Sequence, residues 1–391
     1  MVKIAIAGGA GNVGREDAPE TPIAPGVKWI KADYQNVDEL AKLLEGVHTV
    51  LSFMSFSPGE TGAGAQKPLI DAAVRAGVKR FAPSEWATSK LDHQPWYNFK
   101  KETREYLAEI NKDKKVIEYT LFQYGLFANY MTYPYMSSKH ITMFEIPVNF
   151  NECRALLVDD GESVVSIITA QDAAKVTALA VEYEGEWPVV SGIRGSNITL
   201  NDLVTLGEKI RGKPFTVVKL QSKDLLAGEV KAPWLPLPEH PSIPVAVRQE
   251  FAANIVKGIL LGFQDGSFQI SDEWNKLLPD FKFTQPEEFL TKAWAGIDAG
   301  EKSVKKKQPM VYDYYPQPAM GYANKYDKYG GYSKEYKKSK KYKKQRKYDH
   351  MGSAIGESAG FFADSWGGSG GDGGGGGGGG CDGGGGGGGA C

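Results

Sequence analysis

The residues with the types and spacing to do chemistry begin at a glycine turn. Gly8, Gly11 and Gly14 stand three apart, directly after the apolar stretch Lys3–Ala7. Glycine adopts φ angles that a Cβ forbids and lets a ligand approach the main chain. After a buried strand, that spacing suits a pyrophosphate held by the free N–H groups that follow. Gly8, Gly11, Asn12, Val13, Gly14 and Arg15 are therefore the first dinucleotide-binding candidates. A tight structural turn is the plainer reading of the same glycines.

Lys100 is the second candidate, in a charged helical stretch beside Lys101. Desolvation, or a cofactor charge nearby, lowers a lysine pKa toward neutrality, so that it can hold or pass a proton. A solvated helix lysine fits the same text. Tyr97 lies three residues before it, not the four of a Tyr-x-x-x-Lys dyad, so the lysine would act without that tyrosine. Ser84 and Glu85 close an apolar strand and would line a cleft, or else serve as a cap and a surface charge. Phe53, Met54 and Ser55 end the strand before and border either the cofactor or the core. Tyr124, Gly125 and Phe127 carry the same two readings. The histidines His48, His93, His140, His240 and His350 have no metal-ligand spacing with cysteine or carboxylate. No Ser-His-Asp arrangement is legible.

The elements that must position these residues alternate. After the strand at Lys3–Ala7, helices are expected over Asp38–Leu44, Gln66–Ala76 (closed by Gly77) and Tyr97–Ile110, the last burying Leu107 and Ile110. Strands are expected over Val27–Asp33, Val47–Met54, Val78–Pro83 and Val116–Phe122. The alternation implies an α/β fold with a parallel sheet and right-handed crossovers. One piece is absent. After Arg15 the chain reads Glu16 to Gly26, with Pro19, Pro22 and Pro25 at a spacing that forbids a continuous helix. A first crossover helix and a second strand are thus missing. That loss uncovers one sheet face and alters an edge. Farther on, strands are expected at Ala155–Val158, Val164–Ile168 and Phe215–Leu220. Helices are expected after Gln171–Asp172, from Thr199, and over Val245–Leu261 and Pro286–Ile297, with a proline-rich loop at Ala232–Pro244.

The chain has 391 residues and a formal net charge of −1, which gives no general pull toward nucleic acid or membrane. Cys153, Cys381 and Cys391 are too few and too scattered for a disulfide framework or a zinc site. No leader and no long apolar run are read, so a cytoplasmic setting is expected. Composition changes near residue 303, to Lys and Tyr up to Tyr348 and to near-pure glycine from Gly367. Residues 303–391 are expected to be a disordered tail, for want of aliphatic side chains. Lys337 to Tyr348 interleaves cations with tyrosine, a composition that grips phosphates and stacks on single-stranded bases. A solvated tail has that composition too and is the favoured reading, so nucleic acid is not an expected partner.

Four blocks resemble the NmrA-like, isoflavone-reductase-like branch of the atypical short-chain dehydrogenases. They are Gly8–Arg15; Gly46–Phe53; Arg80–Trp86 with Phe99–Arg104; and Gln171–Val176 with Leu200–Val204. The resemblance covers roughly residues 1–300, and the tail has no counterpart in it. It implies a Rossmann core over about 1–125, a smaller α+β substrate lobe over about 126–302, and NADPH-dependent reduction of a small, often phenolic, substrate. It implies that Lys100 is the catalytic lysine; the cofactor-binding candidates are then Gly8, Gly11, Asn12, Val13, Gly14, Arg15, Asp33, Phe53, Ser55, Ser84 and Lys100. Asp33 stands about 20 residues past the glycines, where an acid reading an NAD-type ribose belongs. The resemblance places it instead on the following strand, near the adenine. The missing strand is the one that ends near the basic residue for the 2′-phosphate, so that determinant is mostly lost; the resemblance still implies NADP(H), and NAD(H) stays open. The alternative is a non-catalytic, dinucleotide-sensing regulator like the NmrA proteins, with a protein partner, or a reductase left cofactor-defective by the missing segment.

Overall fold

The computed structural model describes residues 2–8, 26–28, 30–54, 66–138, 141, 143–237, 245–301 and 305–306. The calls on Gly9–Pro25, Ser55, Pro238–Pro244 and the tail beyond Lys306 lie outside the described residues.

The first half alternates as its sequence pattern demands. Strand β1 (Ile4–Ala7) is followed by α1 (Val37–Leu43), β2 (Thr49–Ser52), α2 (Gln66–Arg75), β3 (Arg80–Ala82), α3 (Asn98–Ile110) and β4 (Glu118–Tyr119). The four strands form one parallel sheet in the order β1-β2-β3-β4. Local chemistry fixes the ends of the helices. The Asn36 side chain accepts the Glu39 N–H at 3.1 Å at the start of α1. Gly77, at φ +71°, ends the turn after α2.

Alternation along each strand divides the side chains between two cores. Ala7, Val50 and Phe81 face α1, α2 and α3, whose Leu40, Leu69 and Leu107 are buried against them. Leu51 and Ala82 face the other way, into the larger core that includes Ala173 and Val176 of a later helix.

Beyond β4 come short paired segments: β5 (Leu121–Gln123), β6 (Leu126–Phe127), β7 (Tyr135–Met136), β8 (Val148–Asn149), β9 (Arg154–Val158) and β10 (Val164–Ile168). Helix α4 (Ala170–Glu182) follows, then β11 (Val190–Gly192), β12 (Ser196–Thr199), α5 (Leu200–Arg211), β13 (Thr216–Leu220) and α6 (Ser222–Leu226). The last elements are α7 (Arg248–Gln264), α8 (Glu273–Leu277), α9 (Pro286–Asp298) and β14 (Lys305–Lys306). Their sheets are β12-β10-β6, β11-β5, β13-β9-β8 and β14-β7.

Three expectations are corrected. The described part of Val27–Asp33 is not a strand. Val27 and Ile30 are exposed, because a strand needs a neighbour's hydrogen-bonding edge, and nothing described pairs with it. The single strand expected over Val116–Phe122 is two, β4 on β3 and β5 on β11. The break falls at buried Thr120, whose hydroxyl donates to the Pro188 carbonyl at 2.6 Å. The helix expected from Val245 opens as a 3-10 turn over Val245–Val247, and α7 begins at Arg248.

Ile4 and Ile6, on the face of β1 turned from α1 and α2, are 42% and 51% exposed.

Candidate functional site

The carboxyl ends of β1 and β2 meet at the glycine turn. Gly8 has φ +72°, and a Cβ there would lie 2.8 Å from the Phe53 carbonyl carbon. The Phe53 N–H donates to the Ala7 carbonyl at 2.8 Å. The tips of β1 and β2 therefore close on one another with bare backbone between them, which only glycine allows. This is the one part of the expected phosphate cradle among the described residues, and the side of Gly8 that lacks a Cβ faces the Phe53 backbone. Gly11, Asn12, Val13, Gly14, Arg15 and Ser55 lie outside the described residues. The Gly8 N–H donates to the Tyr34 hydroxyl at 3.2 Å, so the residue after Asp33 reaches the turn. Asp33 itself is exposed and accepts the Gln35 N–H at 2.9 Å in a turn before α1. A ligand's ribose or adenine can reach that carboxylate from solvent.

Phe53 continues from β2 into an aromatic stack. Its ring lies 4.3 Å from that of Trp86, which stacks at 5.2 Å on Phe122. Trp86 sits at φ +45°. That strained conformation is held by its indole N–H, which donates to the Ser52 carbonyl at 2.6 Å. The stack fixes the path of the loop that carries Ser84 and Glu85 out of β3.

That loop and the first turn of α3 build the polar centre. A Pro95–Tyr97 turn feeds α3, so that Lys100 points back beneath the loop. Lys100 is 3% exposed, and its ammonium donates to the carbonyl oxygen of Glu85. The Tyr97 and Phe99 rings lie 4.3 Å and 5.5 Å from Nζ, a cation–π setting that offsets part of the desolvation cost. The pKa of Lys100 is lowered from 10.5 to about 8. Burial is the main cause; the Glu85 carboxylate opposes it and the Arg104 guanidinium adds to it. Burial also pushes the Tyr97 phenol well up, so the ring beside the lysine stays neutral.

Glu85 is 1% exposed and would be costly without a partner. Arg104, one turn along α3, donates Nε to Oε1 at 3.0 Å and Nη2 to Oε2 at 2.6 Å. The same guanidinium reaches the Ser89 carbonyl at 3.1 Å, which stitches the loop to the helix. Gln66, at the start of α2, accepts the Ser84 N–H at 2.8 Å and donates to the Thr103 hydroxyl at 3.3 Å. Ser84 and Lys100 are thus brought into one network through Glu85 and Gln66. Sequence reasoning missed Arg104, Gln66 and Tyr34. Arg104 had a readable signal, because the i, i+4 spacing from Lys100 puts both on one helix face. Gln66 and Tyr34 had none.

Tyr124 donates to or accepts from Thr177 of α4 at 2.6 Å. Gly125, at φ +74°, has no room for a Cβ, which would lie 2.4 Å from the Ser166 carbonyl oxygen. Gly125 is a packing position; Tyr124, Phe127 and Phe53 all border a trough on the β1 side of α4. His48 bonds the neighbouring Thr49 hydroxyl through Nδ1 at 2.8 Å, and burial lowers its pKa. Among the described residues there is no cluster of His, Cys, Asp and Glu that could hold a metal ion. No described helix is long and apolar enough to cross a membrane.

The pattern of the NmrA-like family matches residues 4–290. The chain is 24% identical over 320 residues to Oxidoreductase BOA1 of Botryotinia fuckeliana (strain B05.10), covering 74% of this chain and 100% of that one. It is 28% identical over 272 residues to Isoflavone reductase homolog P3 of Arabidopsis thaliana, over 68% of this chain and 81% of that one. Among solved structures, the binary complex of leucoanthocyanidin reductase with NADPH from Vitis vinifera is similar, with TM-score 0.53 and 19% identity. That match covers 75% of this chain and 99% of the other, and it shows a shared Rossmann-type fold.

Proposed function

The chain belongs to the NmrA-like family, and from that premise we propose that it is an NADPH-dependent reductase of a small organic substrate, of the isoflavone-reductase-like kind. The observation that carries this reading is the state of Lys100. A buried ammonium with a pKa of about 8 stands at the carboxyl ends of the parallel strands, beside the loop of Ser84 and Glu85. The names of the relatives, an oxidoreductase and an isoflavone reductase homologue, point the same way. So does the NADPH bound by the leucoanthocyanidin reductase.

The residues present fit the cofactor at two points. Gly8 closes β1 onto β2 at the turn where a pyrophosphate would sit, and the segment from Phe53 to Lys100 offers a wall for the nicotinamide end. When bound, NADPH would supply the hydride. The chain's own part is orientation and proton control. Lys100, nearly isoenergetic between its two protonation states near pH 8, holds a proton at Nζ for the substrate oxygen. Glu85 and Arg104 set where that nitrogen lies and how readily it releases the proton. Trp86 and Phe53 exclude water from the same side. In this reading, residues 126–302 close over the 1–125 core as the substrate lobe, and a phenolic ring is the expected substrate class.

The regulatory alternative needs dinucleotide binding without turnover. A buried, easily deprotonated lysine has no use there, which favours the enzyme. The test is NADPH consumption by the full chain against a panel of phenolic enones and ethers, with Lys100→Ala alongside. Turnover that falls at least a hundredfold in Lys100→Ala, with the fold intact, supports the assignment. Turnover that is unchanged in the variant removes Lys100 from the chemistry.

A further inference from the structure

The uncovered face of β1 carries a second inference, independent of the reductase reading. Val2, Ile4 and Ile6 point away from α1 and α2 and are 40%, 42% and 51% exposed. With Ala174 and Ala178 of α4 they line a trough of about 1060 Å³. This is the face a first crossover helix would cover, and no described residue covers it. These apolar side chains of one strand and one helix form a continuous floor rather than scattered exposure.

Its charge selects the occupant. Glu182 and Glu184 line the trough, are exposed, and have no ion pair among the described residues. Arg80 also lines it but is committed to Glu118 at 2.8 Å and to the Tyr183 and Gly185 carbonyls. His48 is kept toward its neutral form by burial. The free charge along the trough is therefore negative.

The path of the chain supplies the candidate. β14 pairs antiparallel with β7, Lys306 opposite Tyr135 and Lys305 opposite Met136. Met136 is two residues from Ser138, which lines the trough together with Ile141. Because the pairing is antiparallel, the chain at Lys306 heads toward Tyr133 and away from Ser138, and 85 residues follow it in which to turn back. At roughly 3.3 Å per extended residue, the stretch between Lys306 and Ser333 is long enough to turn back to the trough. That stretch includes Ser333–Tyr348, where Tyr336, Tyr342 and Tyr348 alternate with Lys337, Lys338, Lys340, Lys341, Lys343, Lys344 and Lys347. Tyrosine lays an apolar ring on an apolar floor and keeps its hydroxyl in water. Lysine stems do the same and leave their charges for the carboxylates.

We propose that the Ser333–Tyr348 stretch of this chain docks in cis into the β1–α4 trough, its tyrosines on Ile4, Ile6, Ala174 and Ala178 and its lysines at Glu182 and Glu184. It takes the place of the absent crossover helix as the cover of that sheet face.

The experiment uses the full chain. An equimolar mixture of unlabelled and isotope-labelled protein is treated with a zero-length carbodiimide and its cross-links are mapped by mass spectrometry. The expected links join Glu182 or Glu184 to lysines between Lys337 and Lys347, within one chain, and they weaken in high salt. In parallel, the Glu182→Gln/Glu184→Gln double variant should bind an apolar fluorescent dye several-fold more strongly than wild type and lose amide protection in β1. Links of mixed isotope composition would instead seat a second copy in the trough and overturn the proposal. Absence of these links, with dye binding equal in wild type and variant, would show an open trough and overturn it as well.

Discussion

Replacing Lys100 by methionine separates what this residue costs from what it does. Its pKa stands at about 8 in the folded chain, against 10.5 for an ordinary lysine. That displacement is worth about 3 kcal/mol, charged against folding, since one pKa unit is about 1.4 kcal/mol. The direction follows from proton uptake. Above pH 10.5 both states are neutral and the lysine costs nothing. As the pH falls, the unfolded chain takes up the proton first, and the full penalty is in place below about pH 8. Methionine has similar length and no charge, so the penalty disappears. It also removes the donor to the Glu85 carbonyl, a loss of about 1–3 kcal/mol if that oxygen stays dry. The two effects oppose each other at pH 7, so the pH slope rather than the intercept decides. Urea unfolding of wild type and Lys100→Met should show wild type gaining on the variant by about 2–3 kcal/mol between pH 7 and pH 10. A difference that stays constant over that range would refute the depressed pKa and the burial argument behind it.

Arg104→Gln removes a positive charge that helps depress the Lys100 pKa, so the inflection in the pH–rate profile should move above 8, while Glu85→Gln should move it below. The same Arg104 variant leaves a nearly fully buried carboxylate without its partner and should lose about 3–5 kcal/mol of stability in denaturant titration. Gly8→Ala puts a Cβ against the Phe53 backbone at φ +72° and should cost about 1–3 kcal/mol while weakening dinucleotide binding in calorimetry. Gln66→Ala strips the acceptor from the buried Ser84 N–H, and the expected loss is about 1–3 kcal/mol in thermal or urea unfolding.

The sequence discloses the parts of this fold that depend on local chemistry. Apolar runs between glycines mark β1, β2 and β3, and Gly77 marks the end of α2, because burial and positive φ leave direct traces in residue type. The Val27–Asp33 stretch has the same apolar alternation but no partner edge, and pairing is a property of a neighbour the residues themselves do not name. Val116–Phe122 fails for a related reason: one apolar run serves two sheets, and the switch at Thr120 depends on Pro188, far away in the chain. At the candidate site, Gly8, Phe53, Ser84 and Lys100 are readable as residues that close strands or open a helix. Glu85 is readable as a charge, but its burial and its pairing with Arg104 are not, since both arise from the loop folding over α3. Tyr34 and Gln66 act through long-range contacts to backbone N–H groups, for which residue type gives no sign.

The most direct test of the central claim is a titration of the full chain with NADPH and with NADH, followed by nicotinamide fluorescence and by calorimetry. The account predicts saturable binding of NADPH that Gly8→Ala weakens and Lys100→Ala perturbs. A folded chain that binds neither nucleotide would contradict it.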